Sequence, residues 1–321
     1  MRKCICFCLL ILFLIGSLSL SGCMTPKEES LDFQVLPIEQ VNYNNYMGMS
    51  RLDYKGNKIA WANHSLTVVD DTGEHDHFSG ISEPFQLLND RIVFLKGNEL
   101  FWYSPEHDKK HCISWDVSQF IATEEGVFYT TQGELYRYSW TQASSEQLQQ
   151  NIELFYLHHD RLYAIDADMH LMVLDDQDRW EYLCTITTPL EIPMQFMPQG
   201  DFLITKYCNE LVYTNIYTGA TESIAFTQDS YANNKINYIC DDQHLYVSFQ
   251  ATKTNGSLVR DIDHADNGVW YIDAQRNTPQ KLCEEVFQEL YLFEGNQLFG
   301  VIGNQIYQID TVTGEVQEIT R

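Results

Sequence analysis

Basic residues are scarce in this chain: 20 Lys and Arg stand against 45 Asp and Glu, a formal charge of −25. Such a surface repels phosphate backbones and anionic lipid, so nucleic acid is excluded as a partner. Spacings that hold zinc are also missing, since neither H-E-x-x-H nor C-x-x-C occurs. The ten His are scattered, with His75 and His77, His107 and His111, and His158 and His159 the nearest to clusters. They read as turn decoration. No convincing helical period appears among the repeats, which argues against an α/β arrangement.

What is present begins at the N-terminus. Arg2 and Lys3 precede an apolar run from Cys4 to Leu20, followed by Ser21, Gly22 and Cys23. A basic start, an apolar segment and small residues at the cut make a secretory signal. The four residues Leu20 to Cys23 resemble the lipobox of bacterial lipoproteins. That resemblance implies removal of residues 1–22, acylation of Cys23 and a location on the outer side of a bacterial cell membrane. Lipid on Cys23 anchors a protein to the membrane without spanning it. Residues 23–46 then comprise the lipidated cysteine and a polar tether, with Leu31 to Val41 available to pair at the edge of the last repeat.

From residue 47 onward the chain repeats one unit. Its plainest copy starts at Gly295: two aromatic-bearing strands, a Thr-Gly turn, then a third strand. Apolar anchors recur at Ile59, Ile92, Val127, Leu162, Phe202, Leu245 and Leu298, 33 to 53 residues apart. A further apolar stretch precedes each pair, as at Phe85 to Leu88 and Ile236 to Cys240, and supplies a fourth strand. Both faces of the strands are apolar, which a sheet packed between two neighbours requires. These features predict an all-β fold, a β-propeller of seven four-stranded blades. The units run approximately 47–79, 80–114, 115–149, 150–187, 188–229, 230–284 and 285–321.

The pattern Y-x-x-D-x-x-T-G-E from Tyr307 to Glu315 resembles the repeat of quinoprotein-like and WD-type propellers. In the quinoprotein enzymes the unit usually ends in a Trp that docks into the next blade. Here the corresponding residues are Leu148, Ile224, Leu282 and Ile319, so the resemblance implies the non-enzymatic branch. The paired Ser-Pro-Asp-Gly signature of protease-associated propellers is absent.

With Cys23 lipidated, five cysteines remain. Cys112, Cys184 and Cys283 fall in the outer strands of different units, too far apart to bridge. Cys208 lies at a turn and Cys240 in a first strand, so no disulfide is expected. Acidic groups include Asp166 with Asp168, Asp175 with Asp176 and Asp178, and Asp261 with Asp263 and Asp266. The last set has the oxygen density for Ca²⁺ without the spacing of an EF-hand loop. No other cofactor is expected. The largest break in the repeat is Gln250 to Asn267, inserted between the second and third strands of unit six. Together with the polar loop 227–234 it offers a binding patch of Asp229, Tyr231, Asn233, Asn234, Arg260, Asp263 and His264. The expected function is therefore a membrane-anchored binding or scaffold propeller with a protein or glycan partner. The alternatives are an extracytoplasmic carbohydrate-active hydrolase or lyase using funnel carboxylates, and a small-ligand sensor.

Overall fold

Local chemistry sets the strand ends. Asp310 Oδ1 accepts the N–H groups of Val312 and Thr313 at 2.8 and 2.7 Å, and Gly314 supplies the positive φ of 75° that ends the turn. Asn215 repeats this in blade five, accepting from Tyr217 and Thr218. An Asx residue followed by glycine thus closes the third strand onto the fourth. Between the turns, aromatic and β-branched residues fill pleated surfaces such as Glu99–Ser104 and Gly126–Thr131.

The computed structural model describes residues 42–46, 51–55, 58–62, 65–69, 75–81, 84–158, 161–188, 194–197, 201–207, 210–224, 234–255, 258–273, 279–293 and 296–319. They form seven four-stranded antiparallel sheets, each built from strands taken in chain order. The protein is a seven-bladed β-propeller. Its innermost strands are Leu52–Lys55, Phe85–Leu87, Val117–Ala122, Ile152–His158, Gln195–Met197, Lys235–Cys240 and Glu289–Phe293. The last blade takes all four of its strands from Glu289 to Glu318. The expected edge pairing of Leu31 to Val41 lies outside the described residues.

The core is a set of layers between adjacent blades. Phe85, Phe94, Ala60, Leu66 and Val68 pack blade one on blade two, and Tyr213, Leu211, Phe249 and Ala251 pack blade five on blade six. At the seam between blades seven and one, Leu52 joins Tyr291, Phe293, Phe299 and Val301. Among the described residues, Cys112, Cys184, Cys240 and Cys283 are unpaired thiols. Cys112, Cys184 and Cys283 occupy the outer strands of three different blades. Cys208 lies outside the described residues.

One close approach fixes the entry to blade seven. The buried ring of Phe287 covers Gly300, and a Cβ at that position would stand 2.2 Å from Phe287 Cδ1. The Phe287 backbone cannot retreat easily, because Ser248 Oγ accepts its N–H at 2.8 Å and donates to its carbonyl at 2.9 Å. Gly300→Ala therefore costs about 1–3 kcal/mol of unfolding free energy, an overpacking penalty read by urea denaturation. A variant as stable as wild type would show that the Phe287 ring is free to shift.

Candidate functional site: the axial plug and the blade-six arm

Five of the innermost strands carry a polar side chain that reaches the backbone of the next blade and so links the blades around the axis. Asp53 Oδ2 accepts the Leu87 N–H at 2.7 Å. Gln86 bonds both backbone groups of Ala122, donating at 2.6 Å and accepting at 2.8 Å. Gln119 treats Phe155 the same way, at 2.8 and 3.2 Å. Gln195 accepts from Cys240 at 3.3 Å, and Asn237 donates to the Phe287 carbonyl at 3.2 Å. A primary amide offers a donor and an acceptor side by side, so it can satisfy an inner strand edge as another strand would. Glu153, the matching residue of blade four, falls at a register shift and is exposed. At the seam of blades seven and one, Arg51 grips both oxygens of Glu289, at 3.0 and 2.6 Å.

The axis itself is occupied. A short 3-10 turn, Tyr43–Tyr46, lies against the inner strands of blades three, four, six and seven. Asn42 Nδ2 donates to the carbonyls of Cys240 and Leu292, both at 3.0 Å. Asn44 Nδ2 donates to Phe196 O at 2.9 Å and Cys240 O at 2.8 Å, while its Oδ1 accepts the Phe196 N–H at 2.8 Å. Asn45 closes a pair with Leu292, donating at 2.8 Å and accepting at 2.9 Å. Cys240, Phe196 and Leu292 stand near the ends of their strands, where each blade makes its first turn. The plug therefore seats at that face of the ring. The insertion in blade six opens on the opposite face.

Tyr46 completes the plug by donating to Asp53 Oδ1 at 2.9 Å. Asp53 also accepts from Tyr54 N at 2.8 Å, and it is 1% exposed. Burial pushes its carboxyl up to about 6, against the lowering effect of the Leu87 and Tyr46 hydrogen bonds and nearby Lys55. Burial likewise raises the Tyr43 phenol far above its ordinary value, with Glu124 and Glu125 adding to the shift. Lys55 pairs with Glu124 at 2.9 Å. A carboxylate sealed by three donors offers no face to an entering substrate, so Asp53 acts here as a clamp.

The Gln250 to Asn267 insertion is a built structure. It folds as a two-stranded arm, Thr252–Asn255 paired with Leu258–Asp261. Asn267 pins its stem, accepting the Ala251 N–H at 2.8 Å and donating to Ile262 O at 2.8 Å. Gln250 donates to the same Ile262 carbonyl at 2.9 Å. Trp270 Nε1 donates to Asp266 O and Lys281 Nζ to Ala265 O, both at 2.8 Å.

Comparison with known proteins agrees with this architecture and goes no further. No family model matches the chain, and no curated protein matches it. Among solved structures it is similar to the computationally designed Ika8 protein, at 12% identity and TM-score 0.55, over 88% of this chain and 90% of that one. It is also similar to Hsv2p of Kluyveromyces lactis, at 10% identity and TM-score 0.53, over 82% and 94%. A streptogramin B lyase matches at 8% identity and TM-score 0.51, over 90% and 96%. At such identities the likeness is one of fold alone.

The residues expected in the binding patch are placed unevenly. Arg260 and Asp263 are exposed on and beside the arm, and His264 is half-buried with its Nδ1 accepting the Asp266 N–H at 3.2 Å. Asn234 is buried at the start of blade six. Asp229, Tyr231 and Asn233 lie outside the described residues. The acidic loop does not converge on one point: Asp261 pairs with Lys235 at 2.9 Å, and Asp266 lies beside His264 at 3.5 Å. A tighter group is Asp166, Asp168 and His170, whose ligand-type atoms lie within 4.8 Å of one another. Its geometry is an Asx turn, with Asp166 Oδ1 accepting from Asp168 N and His170 N. Sequence reasoning named the two aspartates without the histidine, and it passed over the axial ring altogether.

Proposed function

We propose that this protein is a binding or scaffold propeller, held by lipid on Cys23 to the outer side of a bacterial cell membrane. The observation that carries the binding role is the blade-six arm. Its stem is fixed by Asn267 and Gln250, yet its second strand, Leu258–Asp261, is exposed along its whole length. Ordering such a segment costs conformational entropy that the arm does not recover by burying itself, as expected of a surface kept for a partner. The plug supports the same reading at the mouth it fills, where its asparagines bond the inner strands and leave that end of the axis to the protein's own chain. The anchor reading rests on the lipobox-like residues Leu20 to Cys23, and a protein or glycan partner fits both features.

Two measurements test this. Cys23→Ser should move the protein from the membrane fraction of cells to the soluble or secreted fraction. Unchanged membrane pelleting would sink the lipid anchor. Crosslinking in intact cells should capture a defined partner on wild-type protein, and capture of nothing above background would sink the binding role.

A further inference from the structure

The arm carries a charge arrangement that its own fold does not explain. Lys253 and Arg260 stand directly opposite each other across the two strands. Like charges in that position repel and weaken the pair. Neither has an ion-pair partner among the described residues, whereas the adjacent Asp261 is neutralised by Lys235. This happens on a chain with 20 basic residues to 45 acidic ones. Random placement on such a surface would usually put an acid beside a base, so the isolated cation pair marks a place where negative charge is brought from outside.

The backbone points to the form of that ligand. Among the described residues Leu258–Asp261 pairs with Thr252–Asn255 alone, so its other edge presents N–H and C=O groups with no strand beside them there. Alternation puts Lys253, Arg260, Asn255 and Leu258 on one face of the arm and Thr254 with Val259 on the other. Leu258 is 59% exposed and Val259 45%. An added strand with acidic side chains on the first face would meet Lys253 and Arg260 with opposite charge, and an apolar side chain on the second would cover Val259. Main-chain hydrogen bonds then give affinity, and the alternating side chains give selectivity.

We infer that the blade-six arm is a strand-docking site for an extended acidic segment of a partner protein. This rests on the binding role proposed above and names the chemistry of the partner. The test uses the mature protein and a fluorescent peptide alternating Glu and Val, read by anisotropy, with a Lys and Val peptide as control. The acidic peptide should bind saturably, and its affinity should fall as salt is raised from roughly 50 to 300 mM. The double substitution Lys253→Glu with Arg260→Glu should weaken binding about tenfold or more while leaving the melting temperature within a few degrees. Both positions are exposed, so loss of fold does not confound the result. Equal binding of the two peptides, no saturable binding, or an unaffected double variant would each overturn the proposal. So would pelleting with phosphatidylglycerol vesicles that the double substitution abolishes while the peptide fails to bind, which would assign the arm to a lipid surface. A crosslinked partner retained by the double variant in intact cells overturns the arm as its site but keeps the binding role.

Discussion

Asn45→Ala lowers the unfolding free energy by about 2–4 kcal/mol, the sum of two lost buried hydrogen bonds and the unsatisfied Leu292 N–H and C=O they leave behind. Asn44→Ala has a similar effect, because it strands Phe196 N and removes donors to Phe196 O and Cys240 O. The reason the effects are large is topological. No strand is exchanged between the first and last blades among the described residues, so closure depends on the seam and on the plug. In a domain of this size each kcal/mol moves the midpoint by about 2–4 °C, which thermal unfolding resolves easily. A shift of under one degree in both variants would show that the seam residues around Arg51 and Glu289 close the ring unaided.

The second large effect is one of pH. The Asp53 carboxyl is raised in the fold to about 6, from an ordinary 3.8. The folded protein therefore binds a proton that the unfolded chain has released between these values, and stability falls as pH rises through that window. The stabilisation linked to this group is fully present below about 4 and is lost as pH rises through about 6, a difference of about 3 kcal/mol. Other carboxylates act in the opposite direction. Asp175 and Asp310 are held low by hydrogen bonds to their own turns. The prediction is accordingly made on a difference: the unfolding free energy of wild type minus that of D53N, measured in urea from pH 4 to 8. That difference should decline by about 2–2.5 kcal/mol between pH 4 and 7, most of the full span, because the ordinary carboxyl is already about half ionised at pH 4. A flat difference would mean that the Asp53 site is wetter than its 1% exposure implies.

The fold was legible because its signal is repeated. Anchors such as Ile92, Val127 and Leu162 recur with aromatic partners and Asx-Gly turns, and each repeat must bury both of its faces against neighbours. The axial ring was harder to see. Its signal is a polar residue inside five of the inner strands, Asp53, Gln86, Gln119, Gln195 and Asn237, and a polar residue in a strand is ordinary. Only the placement of those strands around one axis makes them partners. The plug is harder still, since Asn42, Asn44 and Asn45 read as turn or tether residues. Asparagine favours loops for the same reason that it serves here: its amide copies a backbone peptide group. The arm was visible as an insertion, but its pairing register, and with it the Lys253 and Arg260 confrontation, was not.

The plug also decides how the protein answers to force. A pull applied at Asn42 does not load the outer strand of a blade, where hydrogen bonds would open one after another like a zip. It reaches Asn42, Asn44 and Asn45 first, whose bonds to blades five, six and seven are loaded together. Tyr46 passes the remainder to blade one through Asp53. Tension is thus shared across the ring before any sheet is strained, and a propeller hung by its N-terminus would give way abruptly and at higher load than one hung by its last strand.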